Sequence, residues 1–270
     1  KILKIPSINN ITGLGTVFIK KSFITKVVKL LYKVSLYCSD FIFFQNSDDQ
    51  QLFIDFNLAS LKKSALLPGS GVDTKKFSSQ GKKNWSTFRF LMVARLIKDK
   101  GVYEFIEAAK LLKDDSIEFW ILGEREVANK TAIGKDEIAN LSKQKVVNFF
   151  DRTDDVKSFL DTVDCVVLPS YREGSPRCIM EASSVELPVI VSDVPGCRQV
   201  VDNNITGFYC RARDSQDLLN KMKSILKMTN NERKRMGHKG RQKMIKEYDE
   251  SIVIESYKQK INEIFNQNIL

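Results

Sequence analysis

The run Tyr171-Arg-Glu-Gly-Ser-Pro-Arg-Cys-Ile-Met-Glu181 sets two carboxylates, Glu173 and Glu181, at either end of a short Gly-Ser-Pro turn. An apolar segment, Cys165-Val-Val-Leu-Pro169, comes just before it. Strand, turn and helix in that order aim free backbone N–H groups at an anion. Pro176 suits a first helical turn, where its missing N–H costs little, and Ser175 is placed to cap it. Glu181, further along the helix, is positioned to accept hydrogen bonds from sugar hydroxyls, and Glu173 stands at the mouth of the turn. Arg95 and Lys100, in Ala94-Arg-Leu-Ile-Lys-Asp-Lys-Gly101, supply two cations across a second strand-to-helix turn. A planar guanidinium fork and a point-charge ammonium together suit a diphosphate.

Other chemistries fit less well. A glycoside hydrolase needs its two carboxylates on opposite sides of a bond, and eight residues across a turn do not place them so. His238 is the one histidine, in a basic stretch from Arg233 to Arg241, which argues against Ser-His-Asp or Cys-His catalysis and His-rich metal sites. The active region carries no Asp-x-Asp pair for a divalent metal, and no metal ligands are assigned.

The elements that must position these groups follow from periodicity. Strands are expected at Phe88–Ala94, Ile117–Leu122, Val146–Phe150, Cys165–Leu168 and Val189–Val191. Helices are expected over 101–113, 127–143, 154–161, 176–185 and 196–201. Apolar strands alternating with amphipathic helices predict a parallel sheet covered on both faces, which binds ligands beyond the carboxyl ends of its strands. Ahead of it, Phe41-Ile-Phe-Phe44 reads as a buried strand, followed by a helix capped by Ser47 with Gln50 three residues on. Residues 22–38 read as a helix with Val27, Leu30, Leu31 and Val34 on one face and Lys26, Lys29 and Lys33 on another. That pattern fits an anionic membrane surface or an ordinary helix with a wet lysine face. Pro68-Gly-Ser-Gly71 is a turn, and 76–87 a polar loop. The tail predicts helices over 215–228, 231–248 and 251–267, the last carrying Ile252, Ile254, Tyr257, Ile261, Ile264 and Phe265.

At 270 residues, 43% hydrophobic and 28% charged, the chain is an ordinary globular sequence of one or two domains. The five cysteines form no Cys-x-x-Cys pair, which fits a reducing, cytoplasmic compartment. No secretory leader is read at Lys1–Pro6, and no apolar run reaches the ~20 residues of a membrane span. The chain does not begin with Met, so a missing front segment is expected. The net charge of +10 gathers in residues 1–63, with nine Lys against four Asp, and in 221–270, with twelve Lys or Arg against six acids.

Several segments together resemble the family 4 glycosyltransferases of the GT-B fold (glycosyl transferases group 1). They are Leu67-Pro-Gly-Ser-Gly-Val-Asp-Thr74 with Phe77, Arg95-Leu-Ile-Lys-Asp-Lys-Gly101, Leu122-Gly-Glu124 and the run from Asp164 to Ala182. Pro188-Val-Ile-Val-Ser-Asp-Val-Pro-Gly-Cys-Arg198 and Asn204-Ile-Thr-Gly-Phe208 complete the set. The wording is similar to bacterial enzymes that build capsule, O-antigen or lipid-linked oligosaccharides. The resemblance implies an α/β chain with a Rossmann-like donor-binding domain over about 66–250. It also implies the end of an N-terminal, acceptor-side Rossmann-like domain over 1–65 and a last helix, 251–270, crossing back to it. It implies a retaining, metal-independent transfer from a nucleotide-sugar, UDP-linked by the resemblance, to a polyprenyl-linked or glycan acceptor, with no cofactor beyond the donor. Catalytic roles pass to Glu173, Arg95 and Lys100. Donor-binding roles pass to Gly71, Arg95, Lys100, Arg152, Glu173, Gly174, Ser175, Pro176, Arg177, Cys178 and Glu181.

The chain departs from the family pattern in two places. Only the last part of an N-terminal domain precedes residue 66, without the acceptor loop and catalytic histidine that the family usually carries there. Leu122-Gly-Glu-Arg125 also lacks a second glycine. A catalytically weak nucleotide-sugar-binding remnant is therefore the alternative reading. A nucleic-acid-binding module would need basic residues interleaved with aromatics or a helix-turn-helix, and neither is present, so no nucleic-acid partner is expected. A dinucleotide oxidoreductase would need Gly-x-Gly-x-x-Gly after its first strand. The expected location is the cytoplasm, with the inner membrane face as a peripheral site.

Overall fold

The computed structural model describes residues 5–14, 23–81, 86–112, 114–125 and 128–269. The first residue of each of the segments 22–38 and 127–143, Lys113 of the helix expected over 101–113, and residues 82–85 of the 76–87 loop lie outside the described residues. The elements in chain order are β1 (Ile8–Ile11), α1 (Phe23–Tyr37), β2 (Phe41–Phe44), α2 (Ser47–Asp55), β3 (Ser64–Leu66), β4 (Phe88–Val93), α3 (Val102–Leu111) and β5 (Ile117–Leu122). They continue with α4 (Lys135–Lys143), β6 (Asn148–Phe150), α5 (Val156–Leu160), β7 (Cys165–Leu168), α6 (Arg177–Ser184), β8 (Val189–Ser192) and α7 (Cys197–Val200). Last come β9 (Gly207–Cys210), α8 (Ser215–Lys227), α9 (Asn230–Lys243) and α10 (Glu250–Ile269).

Every strand pair is parallel, as the near-continuous apolar runs require. The described residues form a three-stranded sheet, β1-β2-β3, and a six-stranded sheet in the order β6-β5-β4-β7-β8-β9. In the larger sheet alternate residues part to opposite faces. Phe90 and Met92 meet α3 and α8, through Phe105, Ala109, Leu218 and Met222. Leu91, Val166 and Val189 meet α6 and the segment after α9, through Ile179, Met180, Met244 and Tyr248. Each such side chain is worth roughly 1.5–3 kcal/mol relative to exposure.

The expected strands all form, and the sheet gains one more at Gly207–Cys210, whose mixed sequence hides its strand character. Helix 127–143 is corrected to α4: the chain is extended at Gly134, so the helix starts at Lys135. The cap of α2 is Asn46, not Ser47; its side chain accepts from Asp49 N at 2.7 Å. The helix expected over 231–248 changes character at Met244, where one wider π-turn runs to Tyr248. That turn lets Tyr248 Oη donate to Gln199 O at 2.7 Å before the chain leaves for α10.

Helix α10 crosses to the smaller sheet, where Tyr257, Val253 and Ile264 pack on Phe41, Phe43 and Leu67. The Phe43 and Tyr257 rings meet edge to face, with centroids 4.9 Å apart. Ile254, Ile261 and Phe265 face outward instead. The start of α10 is pinned by Val72 N, which donates to Tyr248 O at 2.8 Å, and by Glu250 N, which donates to Val72 O at 3.1 Å. Among the described residues no helix is long and apolar enough to cross a membrane.

Candidate active site

The strand order of the larger sheet reverses between β4 and β7, so the loops leaving their carboxyl ends diverge to opposite faces and open a crevice. Both charged sequence segments emerge there: 95–101 after β4 and 169–177 after β7. Two contacts knit the loops together. Tyr171 N donates to Asp99 O at 2.8 Å. The buried Ser170 Oγ donates within reach of Asp99 O and Arg172 O, each at 3.2 Å. Gly101, at φ +78°, admits the close approach: a Cβ there would lie 2.1 Å from Pro169 O.

Across this join Lys100 Nζ and Glu173 Oε1 form an ion pair at 2.6 Å, with side chains 21% and 10% exposed. The sequence placed both at one crevice; the structure adds that they neutralise each other in the free protein. Glu181, 7% exposed on α6, accepts from Arg177 Nε at 2.9 Å. Burial holds its carboxyl above the ordinary value, a rise opposed by Arg177 and by Lys76. Lys76 was not singled out from the sequence, because it lies in a polar loop remote from either motif. Burial also pushes the Cys178 thiol up to about 12, with Glu173, Lys100 and Glu181 all close enough to act on it. Cys178 is therefore a neutral neighbour of the three charges.

The other expected residues are distributed as follows. Arg95 leaves the end of β4 exposed to solvent, with no ion pair among the described residues. Arg152 is exposed beyond β6, two strands and so roughly 10 Å from β4. Next to it Asp151 pairs with Arg125 Nε at 2.7 Å. Gly71 serves packing: at φ +71°, its missing Cβ makes room for Glu250 Cα, which would be 2.6 Å away. Its neighbour Gly69 is the one that touches the turn, since a Cβ there would meet Ser175 Oγ at 2.5 Å. Ser175 does not cap α6. The residue before the helix is Pro176, in extended conformation and without a side-chain cap, so the first N–H groups of α6 have no side-chain acceptor there.

The backbone at Glu173–Gly174 is enclosed from both sides. A Cβ on Gly174 would lie 1.9 Å from Thr12 O, and one on Gly196 would lie 2.5 Å from Gly174 O. Asn46 Nδ2 donates to Gly174 O at 2.9 Å, and Arg172 pairs with Asp49. Gln199 Nε2 reaches Ser47 Oγ and Asp48 Oδ2, each at 3.1 Å. The start of α2 thus docks on the loop that carries Glu173. More than a hundred residues separate these partners, so no local spacing announces them. Among the described residues no three His, Cys, Asp or Glu side chains gather as metal ligands would. A separate cavity of about 580 Å³, lined by Glu186, Lys234, Arg235, His238 and Lys239, shares no residue with the crevice.

A doubly wound parallel sheet with its charged loops at the switch point, faced by a second parallel sheet, defines a GT-B glycosyltransferase fold. Residues 73–243, well over half of the chain, match the family Glycosyl transferases group 1, and the chain belongs to that family. Among curated proteins it is 27% identical to N,N'-diacetylbacillosaminyl-diphospho-undecaprenol alpha-1,3-N-acetylgalactosaminyltransferase of Campylobacter jejuni, over 92% of this chain and 68% of that protein. It is 26% identical to the capsular polysaccharide biosynthesis glycosyltransferase CapM of Staphylococcus aureus, again over 92% of this chain and 68% of the relative. Among solved structures, Anabaena HepE in complex with UDP superposes with a TM-score of 0.82 at 15% identity, covering 97% of this chain and 73% of that one.

Proposed function

We propose that this glycosyltransferase moves a sugar from a UDP-sugar to a lipid-linked or polysaccharide acceptor in bacterial capsule, O-antigen or exopolysaccharide synthesis. The observation that carries the reading is the Lys100–Glu173 pair at the switch-point crevice, with Glu173 on the loop that leads into α6 and its buried Glu181. Names of relatives support the acceptor class: one curated relative is named for a diphospho-undecaprenol substrate and another for capsular polysaccharide.

In this reading Arg95 and Lys100 hold the donor diphosphate, and Glu181 accepts from the ribose hydroxyls. The Gly174–Cys178 backbone, whose first α6 N–H groups lack a side-chain cap, cradles phosphate or sugar. Glu173 turns from Lys100 to the donor sugar once the diphosphate takes its place, and Arg152 lies toward the base. The C1–O bond to the diphosphate breaks while the acceptor oxygen bonds C1 on the same face, and the acceptor proton passes to the leaving phosphate oxygen. Two cations aimed at the charge that develops on the leaving group supply the main stabilisation. No step is assigned to a metal ion. The test is incubation with UDP-sugars and an undecaprenyl-diphosphate-sugar, with the product's anomeric configuration read by NMR. Transfer with retention supports the reading; inversion, or transfer surviving loss of both Lys100 and Glu181, defeats it.

The reading extends to the membrane where such an acceptor resides. The apolar stripe of α1 faces solvent rather than the sheet: Leu30, Leu31 and Val34 are 61–64% exposed, while Thr25 and Leu36 turn inward. Lys26 and Lys33 stand exposed beside that stripe, the arrangement of a helix lying in an anionic interface. Co-sedimentation with phosphatidylglycerol vesicles should fall on reversing Lys26 and Lys33 to Glu. Unchanged binding would remove the membrane role.

A further inference from the structure

Glu173 sits in a loop without a regular ladder of its own, so something outside the loop must fix where its carboxylate points. The residues on either side of it are both held from α2 and the strand end before it. On one side Arg172 Nη2 donates to Asp49 Oδ1. On the other, Asn46 Nδ2 donates to Gly174 O at 2.9 Å. Asn46 and Asp49 are themselves a unit. Asn46 Nδ2 also donates to Asp49 Oδ2 at 3.0 Å, and Asp49 N donates back to Asn46 Oδ1 at 2.7 Å. Asp49 is 0% exposed and Asn46 2%. A wholly buried carboxylate survives only with its charge and lone pairs matched, and here the match comes from a residue 123 positions away.

Two ion pairs are anchored at adjacent residues, Asp49 with Arg172 and Lys100 with Glu173. Arg172 is the neighbour of Glu173 in sequence. A guanidinium released from Asp49 would compete with Lys100 for the Glu173 carboxylate, and Arg, with more donors, competes well. By holding Arg172, Asp49 keeps Glu173 available to the crevice.

We infer that Asp49, with Asn46, is a positioning residue contributed by the smaller sheet's half of the molecule, which through Arg172 sets Glu173 for its work on the donor sugar. The inference rests on the donor-site reading above. It differs from a purely structural role in what it perturbs: the part of donor affinity that comes from the sugar, not the part that comes from the nucleotide.

The experiment is calorimetric titration of the full chain with UDP and with UDP-glucose, UDP-galactose and their N-acetylhexosamine counterparts, on the wild type, Asp49→Asn, Arg172→Gln and Arg172→Lys. Far-ultraviolet circular dichroism checks each variant's fold. For the UDP-sugar that the wild type binds best, Asp49→Asn and Arg172→Gln should weaken binding at least about tenfold while UDP stays within about twofold. Arg172→Lys, which keeps the charge facing Asp49, should recover part of the loss. Should Asp49→Asn fail to fold, the partly exposed Arg172 variants carry the test. Variants that bind UDP-sugar as the wild type does, or that lose UDP and UDP-sugar equally, overturn the positioning role alone. A wild type that binds no nucleotide overturns the donor-site reading and the positioning role with it.

Discussion

Glu181 shows at the scale of one residue what burying a carboxylate does to stability. Burial raises its carboxyl above the ordinary value, and Arg177 and Lys76 offset this only in part. An acid whose folded pKa exceeds its unfolded value contributes stability below the unfolded pKa and loses it as pH rises through the folded one. At pH 7 the charged carboxylate therefore costs the fold something. Glu181→Gln should raise the thermal midpoint at pH 7 by about 2–4 °C, equivalent to about 1 kcal/mol, and the gain should vanish by pH 4. Nucleotide affinity should fall in the same variant. A lower midpoint at pH 7, or a gain independent of pH, would show that the carboxylate is not carried at a cost. The Lys100–Glu173 pair is of another kind. Each partner shields the other in the free protein, and the spacing of the motifs could not disclose that they touch.

At the scale of elements, backbone contact sets the crevice. Gly174 meets Thr12 O and Gly196 meets the Glu173–Gly174 carbonyls at distances that no side chain tolerates. Gly174→Ala should cost about 1–3 kcal/mol, lowering the thermal midpoint by about 3–10 °C, and should weaken UDP-sugar binding by moving Glu173. Gly240→Ala makes the opposite prediction. Its Cβ would meet Ser183 Cβ at an ordinary 3.4 Å inside α9, so the change should be neutral or stabilise by up to about 1 kcal/mol. Equal effects from the two would mean that close packing at Gly174 is not what fixes the loop. The sequence made the strands from Phe88 to Ser192 legible, because buried parallel strands are nearly all apolar. It concealed β9, whose Gly207-Phe-Tyr-Cys210 has no such run. It also misdirected two helix starts, at Asn46 and Gly134, where cap and breaker chemistry competes with periodicity. Gly69, Gly174 and Gly196 look alike in sequence; only what lies opposite each one, the Ser175 side chain for Gly69 and backbone for the other two, shows why it is glycine.

For the whole molecule, motif order was enough to foresee the fold and family, since each charged or glycine-bearing loop follows its own strand. The junction between the two sheets was not legible. Asn46, Asp49 and Gln199 act across more than a hundred residues, and neither composition nor period reports such a pairing. The apolar face of α1 was seen in the sequence, but its exposure was not, because periodicity reveals that a stripe exists and not what covers it. Titration of the purified chain with UDP and GDP, beside Arg95→Ala, Lys100→Ala and Glu181→Ala, tests the central claim that the β4–β7 crevice holds a nucleotide-sugar donor. Saturable one-to-one binding of UDP is expected, weakened about 10–100-fold in each variant by loss of a charge-assisted contact. UDP binding that all three variants retain, or no binding by the wild type, would contradict it.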